Sequence, residues 1–172
     1  HPSSRRKPIL VRFDAGGVKV GLADEAAVAA AWRQMMQAVA GHAACARIEG
    51  VLVGPCAPEW LECIVGMTRD PQFGPALMFG LGGVFVELLK DVSFRVLPLQ
   101  RSDAEEMVRE IKGYPLLQGL RGSGPRDVQA VVDFLVHTAR LVEQNPEIRE
   151  IDVNPLRVYD RGVLALDVRV IL

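Results

Sequence analysis

The chain has 172 residues, 49% hydrophobic and 24% charged, with a formal net charge of −1. That length serves one domain or two small lobes, the composition is ordinary for a globular protein, and scattered basic residues give no support for nucleic-acid binding. No apolar run reaches the roughly 18 residues of a membrane span, and cysteines at 45, 56 and 63 form no CxxC pair, so a cytoplasmic protein without structural zinc is expected.

Residues 1–10, with Arg5-Arg6-Lys7 and Pro2 and Pro8, read as a leader or an expression scar. Ile9–Phe13 predicts a short strand, residues 14–18 a turn, and Val18–Leu22 a strand by alternation. Asp24 is placed as the N-cap of a helix to about Ala40, with Val28, Ala31, Trp32, Met35, Met36 and Val39 on one face and Gly41 at its end. Ile48–Val53 is β-branched and reads as a strand, as do Trp60–Met67, Ala76–Phe79 and Phe94–Leu99. Asp70–Pro75 reads as a turn, and Gly80–Gly83 as a glycine loop followed by a strand or short helix over Val84–Leu89. Ser102 or Asp103 opens a helix through Lys112, closed by Gly113. After a glycine-rich stretch over Gly119–Pro125, Asp127 opens the longest amphipathic helix, to Gln144, with Val128, Val131, Val132, Leu135, Val136, Ala139 and Val142 on its apolar side. Ile148–Leu156 and Val163–Val170 are read as a closing strand pair. Helices mixed with consecutively paired strands indicate an α/β fold with α+β layers rather than a regular βαβ repeat.

The closing pair carries the most chemistry. Asp152 and Asn154 alternate on one strand and so share a face. Asp167 joins them if the second strand folds back across Tyr159–Gly162. Such oxygen donors suit a hard cation such as Mg²⁺ that also holds a phosphate. Gly82 and Gly83, in the run Gly80-x-Gly-Gly, could aim amide groups at an anion or simply build a tight turn. Glu87 and Asp91 beside that loop could serve a metal or lie on a solvated surface. Gly16 and Gly17 form a second glycine turn, where Lys19 could balance phosphate charge or stand exposed. Glu62, among apolar neighbours, needs a partner or reaches water at a sheet edge. His42 and His137 stand alone, and Cys56 and Cys63 read as buried small residues.

Taken in order, Asp14-x-Gly16-Gly17-Val18, Ile48–Val53, Thr68–Pro75, Met78–Glu87, Lys90–Arg95, Gly113–Leu117 and Ile151–Leu156 resemble the ATP-grasp domain of NDP-forming acyl-CoA synthetases. That family includes ADP-forming acetyl-CoA synthetases and is related to the β subunit of succinyl-CoA synthetase. The resemblance spans about residues 11–170. It implies the remainder of a first ATP-grasp lobe over 11–50, a second lobe over 51–172, and a further N-terminal stretch carrying a lysine, with the fold truncated there. It implies interconversion of acyl-CoA, ADP and phosphate with acid, CoA and ATP through a phosphohistidine. By resemblance, Asn154 and Asp167 match Mg²⁺ ligands with Asp152 beside them. Gly82, Gly83 and Glu87 match the phosphate-handling loop, Glu87 as the catalytic residue that orients the phosphoryl group, and Glu62 matches an acid leaving the hinge. CoA and the phosphohistidine would belong to a partner domain or subunit. Two departures stand out: Val11 and Arg12 occupy the place of a His-Lys or His-Arg pair, and the hinge reads Val53-Gly54-Pro55-Cys56. They leave a second reading beside the first, a silent ligand-sensing module of the kind fused to a GNAT domain in protein lysine acetyltransferases.

Overall fold

The computed structural model describes residues 17–42, 48, 50–56, 61–83, 91–119 and 124–172. The chain divides into two compact units, His1–Pro58 and Glu59–Leu172. In the first, helix α1 spans Glu25–His42, one residue past the expected stop at Gly41. Asp24 caps it as expected, its carboxylate accepting the Ala27 N–H at 2.7 Å. Ala31 and Val39 are buried along it, whereas Trp32, placed on the same face by periodicity, is exposed. Two expected strands are not formed: Val18–Leu22 and the described part of Ile48–Val53 have no regular structure. β-Branched residues favour a strand only when a neighbouring edge takes up their backbone groups. Among the described residues no strand pairs with either segment. The proposed strand at Ile9–Phe13 lies outside the described residues, as does Val84–Leu89.

The second unit is an antiparallel sheet backed by helices. Its strands are β1 (Leu61–Asp70), β2 (Gly74–Leu81), β3 (Val92–Val96), β4 (Glu150–Val158), β5 (Val163–Ala165) and β6 (Val168–Ile171). The order is β3-β2-β1-β4-β5, with β6 also paired to β4. Period-two alternation turns Cys63, Val65 and Met67 of β1 and Leu77, Phe79 and Leu81 of β2 to one face. Helices α2 (Arg101–Glu110) and α4 (Val128–Gln144) close that face with Met107, Val108, Val131, Val132, Leu135 and Val142, and a short helix α3 (Tyr114–Leu117) adds Leu117. The outer face, turned away from this core, carries Glu62, Gly66, Met78, Phe94, Asp152 and Arg157.

Local chemistry explains where element ends depart from expectation. β1 runs on to Asp70 because the turn is built there: the Asp70 carboxylate accepts the N–H groups of Gln72 and Phe73 at 2.8 and 2.9 Å. Gly74 takes φ +79°, a conformation that favours glycine. Arg69 then donates to the carbonyls of Ile148 at 2.6 Å and Val142 at 3.3 Å, placing a cation at the C-terminal end of α4. Helix α2 is capped by Gln100, not by Ser102 or Asp103. Asp103 sits at the third helical position, where its carboxylate accepts the Gln100 N–H at 2.9 Å in a capping box. The helix stops at Glu110, before Lys112, because Asp91 takes up the next donors: its carboxylate accepts the Lys112 and Gly113 N–H groups at 2.7 Å each. β3 begins two residues earlier than expected and ends at Val96. The last strand is interrupted at Leu166-Asp167 and so becomes β5 and β6.

Asp127 caps α4 as expected, accepting the Ala130 N–H at 3.0 Å, and also the Gly162 N–H at 2.8 Å. The bonds from Gly162 and Ala130 hold its carboxyl below the usual Asp value. A depressed folded-state pKa adds stability above the ordinary Asp range, and that stability is lost as pH falls through the folded value. Asp127→Ala should therefore cost about 1 kcal/mol near neutral pH. The gap from the parent should close as denaturation is repeated from about pH 6 down to about pH 2; a constant gap would show that the carboxylate charge is not involved. Leu135 is fully buried. Leu135→Ala should lower unfolding free energy by about 2–5 kcal/mol in urea melts.

Candidate functional site

The site residues of the second unit gather around an irregularity in β4. Cys63 pairs with Leu156 but Val65 pairs with Val153, so Ile64 opposes both Asn154 and Pro155. The extra residue is a β-bulge, which shifts the alternation by one. Ile151 and Val153 point to the helices before it, and Leu156 and Val158 after it. β5 and β6 follow the same slip. Ala165 and Val168, three residues apart, both line the α4 side together with Val153. Asn154 and Asp167, the neighbours of Val153 and Val168, therefore face the outer side. The Asn154 N–H donates to the Asp167 carbonyl at 3.0 Å, which brings the two residues together. Asp152, two residues before Asn154 and half-buried, shares its face and is the cross-strand partner of Arg169 on β6.

The glycine run continues β2 beside β1. The Gly82 N–H donates to the Glu62 carbonyl at 2.7 Å. A Cβ on Gly82 would meet the Glu62 carbonyl carbon, carbonyl oxygen and Cβ at 3.1 Å each, a contact tight enough to make the neighbouring strand shift. Gly83 follows at φ +63°, where glycine is again favoured. Glu62 finds its partner across the strands: Arg157, its register partner, donates to the Glu62 carboxylate through Nη2 at 3.1 Å and Nε at 3.2 Å. The pair is part-buried, and Glu62 lies in an interior strand, not at a sheet edge.

Other expected residues fall elsewhere. Gly16 and Glu87 lie outside the described residues. Gly17 is half-buried and Lys19 exposed in the first unit, both without regular structure. Asp91 is buried and committed to Lys112 and Gly113, a structural task in place of the metal-serving or solvated-surface roles considered for it. His137 bonds the Asp133 carbonyl through Nδ1 at 2.6 Å and lines an apolar cavity of about 300 Å³ between α4 and the edge strands. Cys63 is fully buried, and desolvation pushes its thiol up to about 12, so it is no nucleophile. Cys56, expected to be buried, is exposed. Arg157 and Arg169 were not singled out from the sequence. The alternation Leu156-Arg157-Val158 was the available signal for the first, since it puts a cation on the outer face opposite an acid.

Among the described residues no three His, Cys, Asp or Glu side chains gather into a metal-holding group. The donors here are different: one amide oxygen and one carboxylate side by side, with a second carboxylate along the strand. Few hard oxygen ligands, with room for phosphate and water, suit Mg²⁺. The Glu62–Arg157 pair should show a coupling energy of about 1 kcal/mol in a double-mutant cycle with Glu62→Gln and Arg157→Gln read by urea denaturation. Strict additivity would mean that the pair does not tie β1 to β4.

A family model described as an ATP-grasp domain matches residues 4–172. The chain is 48% identical over 164 residues to the β subunit of ADP-forming acetate–CoA ligase I of Pyrococcus furiosus, a match covering 95% of this chain and 71% of that subunit. It is 46% identical over 164 residues to ADP-forming acetate–CoA ligase I of Archaeoglobus fulgidus, where it covers 95% of this chain but only 24% of the relative. Among solved structures it superposes with a TM-score of 0.83, at 46% identity, on dinucleotide-forming acetyl-coenzyme A synthetase 1 of Ca. Korarchaeum cryptofilum, over 97% of this chain and 73% of that one. That structure is a complex with coenzyme A and Mg-AMPPCP, its phosphohistidine segment pointing towards the nucleotide-binding site. These relatives give the acetyltransferase-regulator reading no support. The match along almost the whole chain, on an antiparallel sheet with its polar cluster at a bulge, places this protein in the ATP-grasp domain family, with the ADP-forming acyl-CoA ligases.

Proposed function

We propose that this chain is the nucleotide- and phosphoryl-handling module of an ADP-forming acyl-CoA ligase. The whole enzyme would interconvert acyl-CoA, ADP and phosphate with acid, CoA and ATP. The observation that carries the reading is the juxtaposition of Asn154 and Asp167 at the β4 bulge. Asn154 and Asp167 would hold Mg²⁺, with Asp152 beside them. The ion would supply charge neutralisation on the nucleotide phosphates.

The chain's own residues do the rest. Gly82 and Gly83 bring backbone close to the phosphoryl group without a side chain in the way, and Glu87 orients it. Glu62, held by Arg157, keeps that loop seated on β1. Gly16, Gly17 and Lys19 contribute further phosphate contacts. Phosphoryl transfer asks mainly for position and charge balance, which such a face supplies. The acceptor is a histidine on a partner domain or subunit that also binds CoA. The phosphohistidine segment seen in the Korarchaeum synthetase complex supports this division of labour. The lobe division at residue 50 belongs to the same reading.

Asp167→Ala should abolish Mg-dependent ATP binding in the longest natural form of the protein while leaving its denaturation midpoint nearly unchanged, since the side chain is exposed. Titration of ATP with and without Mg²⁺ measures this, and binding equal to the parent's would rule out the metal assignment.

A further inference from the structure

We propose that Arg169 is an anion-contact residue whose guanidinium meets the phosphates of the ligand bound over Asn154 and Asp167. The proposal deepens the nucleotide reading above and rests on it for the identity of the ligand. Arg169 lies on β6 as the register partner of Asp152. Its neighbours Val168 and Val170 line the cavity on the α4 side, so Arg169 faces the outer side with Asp167, two residues earlier. A long side chain at a directly opposed position also reaches the diagonal neighbour across the strands. Arg169 can therefore extend over both Asp152 and the Asn154–Asp167 pair.

Charge decides why a cation is needed there. Glu150, Asp152 and Asp167 put three carboxylates on this stretch of the sheet. A polyphosphate approaching them meets repulsion that one divalent ion, held by Asp167 and Asn154, offsets only in part. The basic residues of β4, β5 and β6 are Arg157 and Arg169. The Arg157 side chain is 17% exposed and held by Glu62. The Arg169 side chain is 61% exposed and bonded at 2.5 Å to Glu150, itself 40% exposed. An exposed pair of this kind is weak and is readily exchanged for a stronger anion. The planar fork of arginine matches two phosphate oxygens at once, which a lysine does not reproduce. Glu150 then acts as a counter-ion that parks the guanidinium beside the site when no phosphate is present. The alternative is that Arg169 merely pins the β4–β6 edge.

Titration of tripolyphosphate in EDTA, into the longest natural form of the protein, separates these cases without relying on a metal. Binding by the parent is expected to weaken about tenfold in Arg169→Gln and to recover to within about threefold in Arg169→Lys. Asp167→Ala, which removes a repelling charge, should bind tripolyphosphate at least as well as the parent. The thermal midpoint of Arg169→Gln should match the parent's. Parent-like tripolyphosphate binding by Arg169→Gln, or no binding by the parent itself, would overturn the proposal. Should Asp167→Ala retain Mg-dependent ATP binding while Arg169→Gln still loses tripolyphosphate, the metal reading fails and the anion contact stands.

Discussion

The single extra residue in β4 organises the candidate site. Without it, strict alternation from Ile151 and Val153 would turn Leu156 and Val158 to the outer face and strip two fully or nearly buried aliphatics from the core. With it, both halves of the strand bury their apolar residues, and the two positions between them are released from that duty. Polar side chains can occupy those positions without the cost of burying oxygens in an apolar layer. The slip in β5 and β6 at Leu166-Asp167 matches the bulge in register, so the freed positions on the two strands meet. One backbone irregularity thus reconciles a continuous core on one face with an acidic, hydrogen-bonding cluster on the other. Bulges recur beside functional sites for this reason: they re-aim side chains while the ladder around them persists.

Around that cluster the outer face is organised by charge. Acids and guanidinium groups alternate across strands: Glu62 faces Arg157, and Asp152 faces Arg169. The first pair is part-buried, and the same residue that bonds Arg157 also accepts the Gly82 N–H through its main chain. A shift of β4 relative to β1 would therefore disturb both the loop and the bulge. The Arg169 guanidinium, whose ion pair is with Glu150, stands largely in solvent. Depth alone separates a cation that fixes geometry from one that is free to change partners, since exposed ion pairs are weak and screened whereas part-buried ones are less so.

Much of the cluster was legible in the sequence because it rests on period two. Asp152 and Asn154 were placed on one face from alternation, Asp167 was added on the condition that the second strand folds back, and Asp24 and Asp127 were recognisable caps because an Asp before an apolar period does one local job. Failures came where the deciding partner lies far along the chain. Val18–Leu22 and Ile48–Val53 have strand composition, yet composition supplies no edge to pair with. Asp91 beside a glycine run looked like a metal or surface acid. Its donors, the amides of Lys112 and Gly113, come from beyond a whole helix. Glu62 needed a partner, and that partner, Arg157, was 95 residues away. The Gln100 cap was missed for a local reason: glutamine is a poor cap on its own, and Asp103 looked like the cap when it is the reciprocal half of the box.

Asp91 also shows how the two faces divide their tasks. Its carboxylate holds the chain at Gly113, where a Cβ would lie 2.1 Å from Leu81 Cδ1, so the α2–α3 connection is pressed directly against the end of β2. Leu81 is the residue before Gly82. The start of the glycine loop is thus held twice: within the sheet by the Glu62 carbonyl, and on the inner face by a leucine packed under a glycine that a buried acid fixes in place. A loop that must approach an anion with bare backbone has no side chains of its own to pack, and glycine loses the most conformational freedom on ordering. Its order has to come from the residues on either side. Here the helical face, on the other side of the sheet from the polar cluster, supplies part of that order. Substitutions in the α2–α3 connection can therefore reach the outer face through Leu81 without altering a single residue of the cluster itself.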